Sequence, residues 1–223
     1  MKNISYFDES IDIVVEDSNK GFVGKGDIKD LKSDLEWADC LLVGPGVSTS
    51  RKSIDFLSSL MSEYKGSCVI DAGALFIEKG DSLFSSFPKR SILTPHYGEF
   101  SRFLQISSSD LYNDTVNILR SISIDLGNRV LVLKGPNTIV ASGNGDLFLI
   151  DNGNSLLATA GSGDVLSGYI SAHVSQGYSL LDASILGVYF HGKCSDILKE
   201  KGYDNIFAHQ IYEQLHQAIG RTI

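Results

Sequence analysis

The sequence predicts an α/β protein in which helices cover both faces of a mostly parallel sheet. Short apolar runs rich in β-branched residues recur along the chain, and stretches with helical periodicity separate them. Strands that are apolar on both faces are typical of parallel sheets, and their alternation with helices implies βαβ units. The 223 residues contain no linker, repeat or low-complexity segment, so residues 1–223 are predicted to form a single domain.

Four apolar runs are predicted to be buried strands, because each stops at Gly, Asp, Thr-Pro or Lys-Gly. They cover residues 40–43, 68–70, 92–93 and 130–133. The periodicity of the apolar residues between them predicts helices over residues 53–64 and 110–123.

The second half of the chain adds a hairpin and a helical end. Residues 138–141 and 147–150 flank a turn rich in Gly and Asn, which predicts an antiparallel hairpin. Near the start, residues 4–7 and 11–15 are candidate strands, and residues 27–39 form a polar helix or loop. Helices are predicted over residues 164–175, 180–198 and 209–219.

The charge of the chain excludes one class of partner. The formal net charge is −8, and no cluster of basic residues occurs anywhere in the sequence. Nucleic-acid binding needs a basic surface, so it is not expected. An anionic substrate would have to be bound by local backbone amides or by single lysines.

The cysteines and the apolar runs indicate the cellular compartment of the protein and whether it enters a membrane. Cys40, Cys68 and Cys194 are far apart and have no metal-binding spacing. Their odd number, without a signal peptide, predicts a reducing, cytoplasmic location. The longest apolar run, residues 183–190, is too short to span a membrane, so no membrane partner is expected.

A glycine-rich run from Asn154 to Gly168 joins a loop to the start of a predicted helix. Gly161 and Gly163 permit a tight turn and close approach of a ligand. The free amides of a first helical turn bind phosphate and stabilise charge during phosphoryl transfer. Asp164 in that turn suits a base that deprotonates an attacking hydroxyl, although a simple helix cap explains the same spacing.

Other chemically suggestive groups follow predicted strands directly. Gly44-Pro45-Gly46, Asp71, Thr94-Pro95-His96 and Lys134-Gly135 each stand just after one. Ligands of open α/β sheets bind at the carboxyl ends of the strands, so these groups are expected to converge on one site.

Five motifs occur in an order that one enzyme family shares. From about residue 39 to about residue 192, the chain resembles the NAD(P)H-hydrate dehydratases, a branch of the ribokinase-like superfamily. The resemblance implies a ribokinase-like three-layer α/β/α fold with a mostly parallel central sheet. The motifs are Gly44-Pro45-Gly46, Asp71-Ala72-Gly73-Ala74-Leu75, Leu93-Thr94-Pro95-His96-Tyr97-Gly98-Glu99, Leu133-Lys134-Gly135-Pro136-Asn137-Thr138 and the glycine run ending at Gly168.

The resemblance implies a lyase that repairs a damaged cofactor. Such an enzyme uses ADP or ATP, with Mg²⁺, to dehydrate the S form of hydrated NADH or NADPH. It phosphorylates the ring hydroxyl, and loss of phosphate then restores the reduced nicotinamide. In this chain Asp164 would take the hydroxyl proton, while the amides of residues 161–163 would hold the charge on the phosphoryl group.

The resemblance also assigns binding roles by position. Three positions, Gly44, Gly46 and His96, resemble those that line the site for the hydrated dinucleotide, next to Asp164. Glu99 and Asn154 would support Mg²⁺ through water, and no residue is expected to bind a metal directly. The adenine nucleotide would contact Lys134, Gly135, Pro136, Asn137, Thr138, Gly161, Ser162 and Gly163.

The opening of the chain departs from the family pattern. Family members begin with a strand, a Gly/Ser-rich loop and a small-residue helix, and nothing of this kind precedes residues 4–7. We therefore expect the domain to lack the first βα unit, which would expose a sheet edge unless an oligomer partner covers it. Family analogy suggests a homotetramer. A gene model that starts too late, or a loss of activity, would explain the same departure.

The glycine run contains smaller departures. Ser155 and Leu156 stand where the family usually has Pro-Gly, and Asn152 stands in place of a usual Thr. Ala160 replaces a usual Gly, a change that is costly only if its φ is positive.

Several of these residues also have purely structural interpretations. His96 and Asp71 suit helix caps, Lys134 suits a solvated strand end, and Gly44 and Gly46 suit a tight turn. Glu99 suits a pairing with a nearby amide or with Arg102. The histidines at positions 173, 191, 209 and 216 lack metal spacing and are interpreted as packing or surface residues.

Two other functions remain open from the sequence. A small-alcohol kinase of the same superfamily, acting on a thiazole or pyrimidine alcohol, would use Asp164 and the same anion site. Thr94-Pro95-His96 argues against it, because the vitamin kinases usually have Asn at the histidine position. A truncated nucleotide-binding protein without activity is the third hypothesis.

Overall fold

The computed structural model describes residues 25–77 and 82–221, and within these ranges six strands form one sheet. The strands lie side by side in sequence order. The first four are mutually parallel, and the last two are antiparallel additions that form the predicted hairpin. They are β1 (Cys40–Val43), β2 (Ser67–Ile70), β3 (Ser91–Leu93), β4 (Val130–Leu133), β5 (Thr138–Ser142) and β6 (Leu147–Ile150).

Helices cover both faces of this sheet. In the described part of the chain they are α1 (Lys32–Trp37), α2 (Arg51–Glu63), α3 (Tyr97–Leu104), α4 (Ser108–Asn113), α5 (Thr115–Leu126), α6 (Ser162–Ser175), α7 (Leu180–Glu200), α8 (Ala208–Tyr212) and α9 (Leu215–Gly220). Because β1 to β4 are sequential neighbours, right-handed crossovers place α2 to α5 on one face. The other face is covered by α6, which packs on β1 and β2, and by α7, which packs on β3 to β6.

The sheet separates two apolar cores. Neighbouring residues of a strand point to opposite faces. Cys68 and Ile70 of β2 therefore pack in the core beneath α2 to α5, whereas Val69 packs in the core beneath α6 and α7. Every residue of β2 and β4 is buried. The predicted three-layer α/β/α fold with a mostly parallel sheet is confirmed.

Two helices predicted to be continuous are each interrupted, so those predictions are wrong in detail. The one over residues 110–123 is α4 followed by α5, with Asp114 between them at a φ of −131°. The Asp114 carboxylate accepts a hydrogen bond from the Asn117 amide, and Thr115 Oγ1 donates to Leu111 O. Such side-chain bonds compete with helical backbone geometry. The helix predicted over residues 209–219 is α8 followed by α9.

Some predictions for the start of the chain fall outside the residues that the structure describes, and one falls inside them. The candidate strands at residues 4–7 and 11–15, and the expected lack of an opening βα unit, lie outside the described residues. The polar segment 27–39 contains the end of a 3-10 helix (Lys25–Leu31) and then α1. No helix in the described ranges is long and apolar enough to cross a bilayer.

Candidate active site

A cavity of about 780 Å³ lies at the carboxyl end of the parallel strands. It is bordered by the end of β4, the loop after β6, the first turn of α6 and the middle of α7. Of the predicted site residues, the structure brings eight to its lining: His96, Lys134, Gly135, Pro136, Thr138, Asn154, Ser162 and Gly163. Asn137, Gly161 and Asp164 are their chain neighbours but do not line the cavity.

A second cavity, of about 440 Å³, lies near the opposite end of the sheet, where Arg129 precedes β4 and Ser142 ends β5. None of the predicted site residues lines it. Because ligands of open α/β sheets bind at the carboxyl ends of strands, the larger cavity is the candidate active site.

Lys134 and Asp71 form a buried ion pair below this cavity. Lys134 Nζ lies 2.7 Å from Asp71 Oδ1, and the two side chains are 18% and 2% exposed. Asp71 Oδ1 also accepts from the Ala72 amide, while Asp71 Oδ2 accepts from Ser167 Oγ at 2.6 Å. Asp71 thus caps the following helix as predicted, and the same carboxylate holds the Lys134 ammonium in place.

The lysine and the glycine turn are adjacent. A Cβ atom added to Gly163 would lie 3.4 Å from Lys134 Nζ and 4.0 Å from Asp71 Oδ2. Ser167 Oγ, which binds Asp71, also donates to Gly163 O at 3.0 Å. The interpretation of Lys134 as a solvated strand-end residue is therefore wrong, because its ammonium lies beside the first turn of α6.

The turn that begins α6 has the geometry of an anion site. Gly161 is its N-cap, with a left-handed φ of 84°, while Ala160 is not among the described residues with positive φ. Among the described residues, no backbone acceptor pairs with the amides of Gly163 and Asp164. Two free amides beside an ammonium group favour the binding of an anion.

Asp164 occupies the third position of α6 and is exposed. Within the ranges that the structure describes, its carboxylate makes no hydrogen bond or ion pair. It is free to accept a proton from a ligand bound over the turn. Asp164 thus contributes both a carboxylate without a partner and one of the two free amides.

His96 caps the helix that follows β3, as its structural interpretation predicted. Its Nδ1 accepts from the amides of Gly98 and Glu99 at 3.0 and 3.2 Å. The Glu99 carboxylate accepts in turn from the His96 amide at 2.8 Å, which completes a capping box. His96 also lines the cavity, so the cap fixes the imidazole at its border.

Gly44 and Gly46 form a turn after β1 and do not line the cavity. Gly44 has a φ of 115°, and a Cβ there would lie 1.7 Å from Asp71 O. Gly46 has a φ of 70° and no neighbouring atom within 4 Å of such a Cβ. The tight-turn interpretation accounts for both residues, and Gly44 in addition lets β1 approach the backbone of Asp71.

A family model described as NAD(P)H-hydrate dehydratase matches residues 9–217. The chain belongs to the NAD(P)H-hydrate dehydratase family. The predicted family resemblance is thus confirmed, and the match covers the whole of the cavity.

Named relatives agree with this family. The ADP-dependent (S)-NAD(P)H-hydrate dehydratase of Neisseria meningitidis is 36% identical over 163 residues, which cover 71% of this chain and 55% of that protein. The bifunctional NAD(P)H-hydrate repair enzyme of Dictyoglomus turgidum is 34% identical over 186 residues, which cover 83% of this chain and 36% of that enzyme. The aligned part of the chain thus spans about half and about a third of these two relatives.

A solved structure of the same family has a similar fold. The Bacillus subtilis ADP/ATP-dependent NAD(P)H-hydrate dehydratase, co-crystallised with ATP and Mg²⁺, superposes with a TM-score of 0.73 at 28% identity. The superposition covers 82% of this chain and 64% of the B. subtilis chain.

The cavity of this dehydratase family member contains residues that sequence reasoning missed. His191 was interpreted as a packing or surface residue, but it lines the cavity and its Nε2 lies 3.1 Å from Ser162 Oγ. Burial lowers the pKa of His191 to about 4; a hydrogen bond with the Ser162 backbone opposes this shift, and the charge of Lys134 adds to it, so the imidazole is neutral near pH 7. The glycine that follows it, Gly192, was a local indication that this part of the helix packs closely against another segment, because glycine is unfavourable inside a helix.

Asn152 is a second missed residue of the cavity lining. Its amide nitrogen donates to Tyr189 O at 2.7 Å, whereas its Oδ1 is buried without a hydrogen-bond partner in the described part of the chain. A Cβ on Gly192 would lie 2.6 Å from that oxygen. Gly192 therefore permits the loop after β6 to pack directly against α7.

Proposed function

We propose that this chain is a lyase that uses ADP or ATP to dehydrate the S form of hydrated NADH or NADPH. Its family membership and the names of its relatives support the reaction class. The proposal rests on the Lys134 ammonium, which lies beside Gly163 at the cavity, and on the free amides of Gly163 and Asp164 in the same turn. Such a cluster stabilises a transferring phosphoryl group.

The proposed reaction has two steps. First, the Asp164 carboxylate takes the proton of the ring hydroxyl while that oxygen attacks the terminal phosphorus of the nucleotide. The bond from that phosphorus to the remaining nucleotide breaks, so ADP leaves as AMP, or ATP as ADP. Then the ring nitrogen donates its lone pair, the carbon–oxygen bond breaks, and phosphate departs with the bonding electrons. Loss of a proton from the neighbouring ring carbon completes the reduced nicotinamide.

We propose that the adenine nucleotide and the hydrated dinucleotide bind to two different groups of residues. The adenine nucleotide contacts Lys134 to Thr138 and Gly161 to Gly163, with the Lys134 ammonium offset by Asp71. The hydrated dinucleotide approaches from the side of His96, which is exposed at the cavity border, and of the turn at Gly44 and Gly46.

We propose that Mg²⁺ would bind together with the nucleotide, whose phosphate charge it would neutralise. Within the described ranges, no three His, Cys, Asp or Glu residues are grouped to hold a metal ion. Mg²⁺ usually keeps several waters and binds through phosphates and one or two carboxylates. Glu99 would hold it through water, because its carboxylate keeps free acceptor positions beyond its bonds to His96. The Asn154 oxygen already accepts from the Leu156 amide, so its contribution is smaller.

The domain organisation, location and assembly of the enzyme are also part of the proposal. We propose that residues 1–223 act as one domain in the cytoplasm, where the three unpaired cysteines would stay reduced. A homo-oligomer, a tetramer by family analogy, is the proposed assembly.

The test of the proposed function is recovery of the reduced-nicotinamide absorbance. The chain is incubated with the S form of hydrated NADH, MgCl₂ and either ADP or ATP. Absorbance should return with the wild type and be lost with Asp164→Asn. The matched control is Asp182→Asn, since Asp182 holds the same third position in α7 and is remote from the cavity. It should keep full activity.

The products distinguish the alternatives. Dehydration releases one inorganic phosphate for each nicotinamide restored. A phosphorylated alcohol that remains stable, found with thiazole or pyrimidine alcohols, would instead support a small-alcohol kinase. Binding of ADP without turnover of hydrated NADH or NADPH would support an inactive nucleotide-binding protein.

A further inference from the structure

The hydroxyl group of Ser162 differs from those of the other serines on α6. Ser171 and Ser175 each donate to the carbonyl oxygen four residues earlier, and Ser167 donates to Asp71 Oδ2 at 2.6 Å with Gly163 O as a second acceptor at 3.0 Å. Ser162 is the first residue of the helix, between the two glycines of the turn, and its Oγ contacts His191 Nε2 instead. Its hydroxyl is therefore not committed to a backbone carbonyl.

The partner of that hydroxyl is built into the interior of the protein. His191 is 7% exposed and Ser162 is 4% exposed, yet both line the cavity. The Tyr169 ring and the imidazole pack in a T-shaped arrangement, with 6.3 Å between the ring centroids. A serine hydroxyl has one proton, so the proton on the imidazole decides where that hydroxyl proton points.

We propose that His191 is a positioning residue of the nucleotide site, whose Nε2–H donates to Ser162 Oγ and leaves the Ser162 hydroxyl proton free for a phosphate oxygen. With the opposite tautomer, Ser162 would donate to Nε2 and present only acceptor lone pairs to an anion. The arrangement adds a third donor to the amides of Gly163 and Asp164. It rests on the proposed nucleotide function of the cavity.

The tautomer is measured directly by long-range ¹⁵N–¹H NMR of the imidazoles at pH 8. Two other histidines serve as internal references. His173 Nδ1 lies 2.7 Å from Tyr169 O, an acceptor, so His173 must carry Nδ1–H. His96 Nδ1 accepts two backbone amides, so neutral His96 must carry Nε2–H. His191 should show the His96 pattern, and the His173 pattern would overturn the proposal whether or not the chain is a dehydratase.

The effect on binding is measured by calorimetry with ADP and MgCl₂. Ser162→Ala and His191→Leu should each weaken ADP binding about fivefold, the usual worth of one hydrogen bond. The double variant should be no weaker than either single variant, because both remove the same donor. His191→Gln, which keeps an amide donor, should bind ADP within about twofold of the wild type. His216→Leu changes an exposed histidine of α9 and should have no effect.

The outcomes separate this inference from the proposed function. Independent, additive losses for Ser162→Ala and His191→Leu would overturn it, as would an unchanged affinity of His191→Leu. If His191→Leu does not fold, the ADP affinities of Ser162→Ala and His191→Gln, together with the His191 tautomer, still test the proposal. A wild type that binds ADP but does not dehydrate hydrated NADH contradicts the function alone. A wild type that does not bind ADP overturns both.

Discussion

Lys134 Nζ lies 2.7 Å from Asp71 Oδ1, although the two residues are 63 positions apart in the chain. Asp71 follows β2 and Lys134 follows β4, so the parallel sheet brings both to the same edge. With the cation neutralised from below and the free amides of α6 beside it, the lysine is held at a fixed place. Charged groups that are already fixed in place need not rearrange when negative charge develops on a transferring phosphoryl group.

Asp71→Asn should destabilise the fold by about 3 kcal/mol, because it leaves Lys134 without its buried counter-charge. Urea unfolding of the wild type and the variant measures this loss. Asp204→Asn is the matched control, since Asp204 pairs with Lys199 at 2.8 Å but both side chains are largely exposed. Its cost should be much smaller, because water screens the charges of an exposed pair. Equal costs for the two variants would show that the Asp71 pair is no better than a surface pair.

Gly161→Ala should lose nucleotide affinity as well as stability. Gly161 has a φ of 84°, and an added Cβ would lie 3.2 Å from the Ala208 side chain. Gly177, the control, has a φ of 88° with open space around such a Cβ, and it lies outside the cavity lining. Both alanine variants should lose about 1 kcal/mol of stability from the positive φ. Calorimetry with ADP should show weaker binding for Gly161→Ala alone, and equal binding by both variants would refute a role of this turn.

The sequence was sufficient to predict most of the fold and the edge of the sheet at which the candidate site lies. The strands were predictable because β2 and β4 are buried on both faces and therefore apolar throughout. The convergence of Asp71, His96 and Lys134 followed from their places after parallel strands. These predictions needed only local pattern and the rule for strand ends.

The remaining parts of the site depend on tertiary contacts that no local pattern records. Ser162 and His191 are 29 positions apart and meet only because α6 packs along α7. Metal spacing was the wrong criterion for His191, since its partner is a hydroxyl. Lys134 was equally ambiguous, because a strand-end lysine is solvated unless a carboxylate such as Asp71 is buried beneath it. The break at Asp114 arose from competing side-chain bonds, which apolar periodicity does not register.

Gly44→Ala should prevent stable folding, whereas Gly46→Ala should be tolerated. A Cβ at Gly44 would lie 1.7 Å from Asp71 O, a backbone atom that cannot move without disturbing β2. At Gly46 the added methyl meets no atom within 4 Å, so only its positive φ is unfavourable, at a cost of about 1 kcal/mol. Soluble yield and thermal unfolding of the two variants measure the difference. A well-folded Gly44→Ala chain would contradict the close packing of β1 on Asp71.

The stability of the fold should fall as the pH decreases toward 4, in part through His191. Burial lowers its pKa in the folded chain to about 4, whereas an unfolded histidine titrates near about 6.5. Between these values the unfolded chain binds a proton that the folded chain does not. The contribution of His191 is therefore fully present above about pH 6.5 and is lost as the pH falls toward about 4.

His191→Gln isolates this contribution, because glutamine does not titrate. Urea unfolding of the wild type and the variant at pH 7 and pH 5 gives the two pH dependences, and subtracting them removes the other titrating groups. The wild type should lose about 2 kcal/mol more than the variant between these pH values. Equal losses would mean that the imidazole takes up its proton in the folded chain. It would then be exposed to water rather than enclosed between Tyr169 and Ser162.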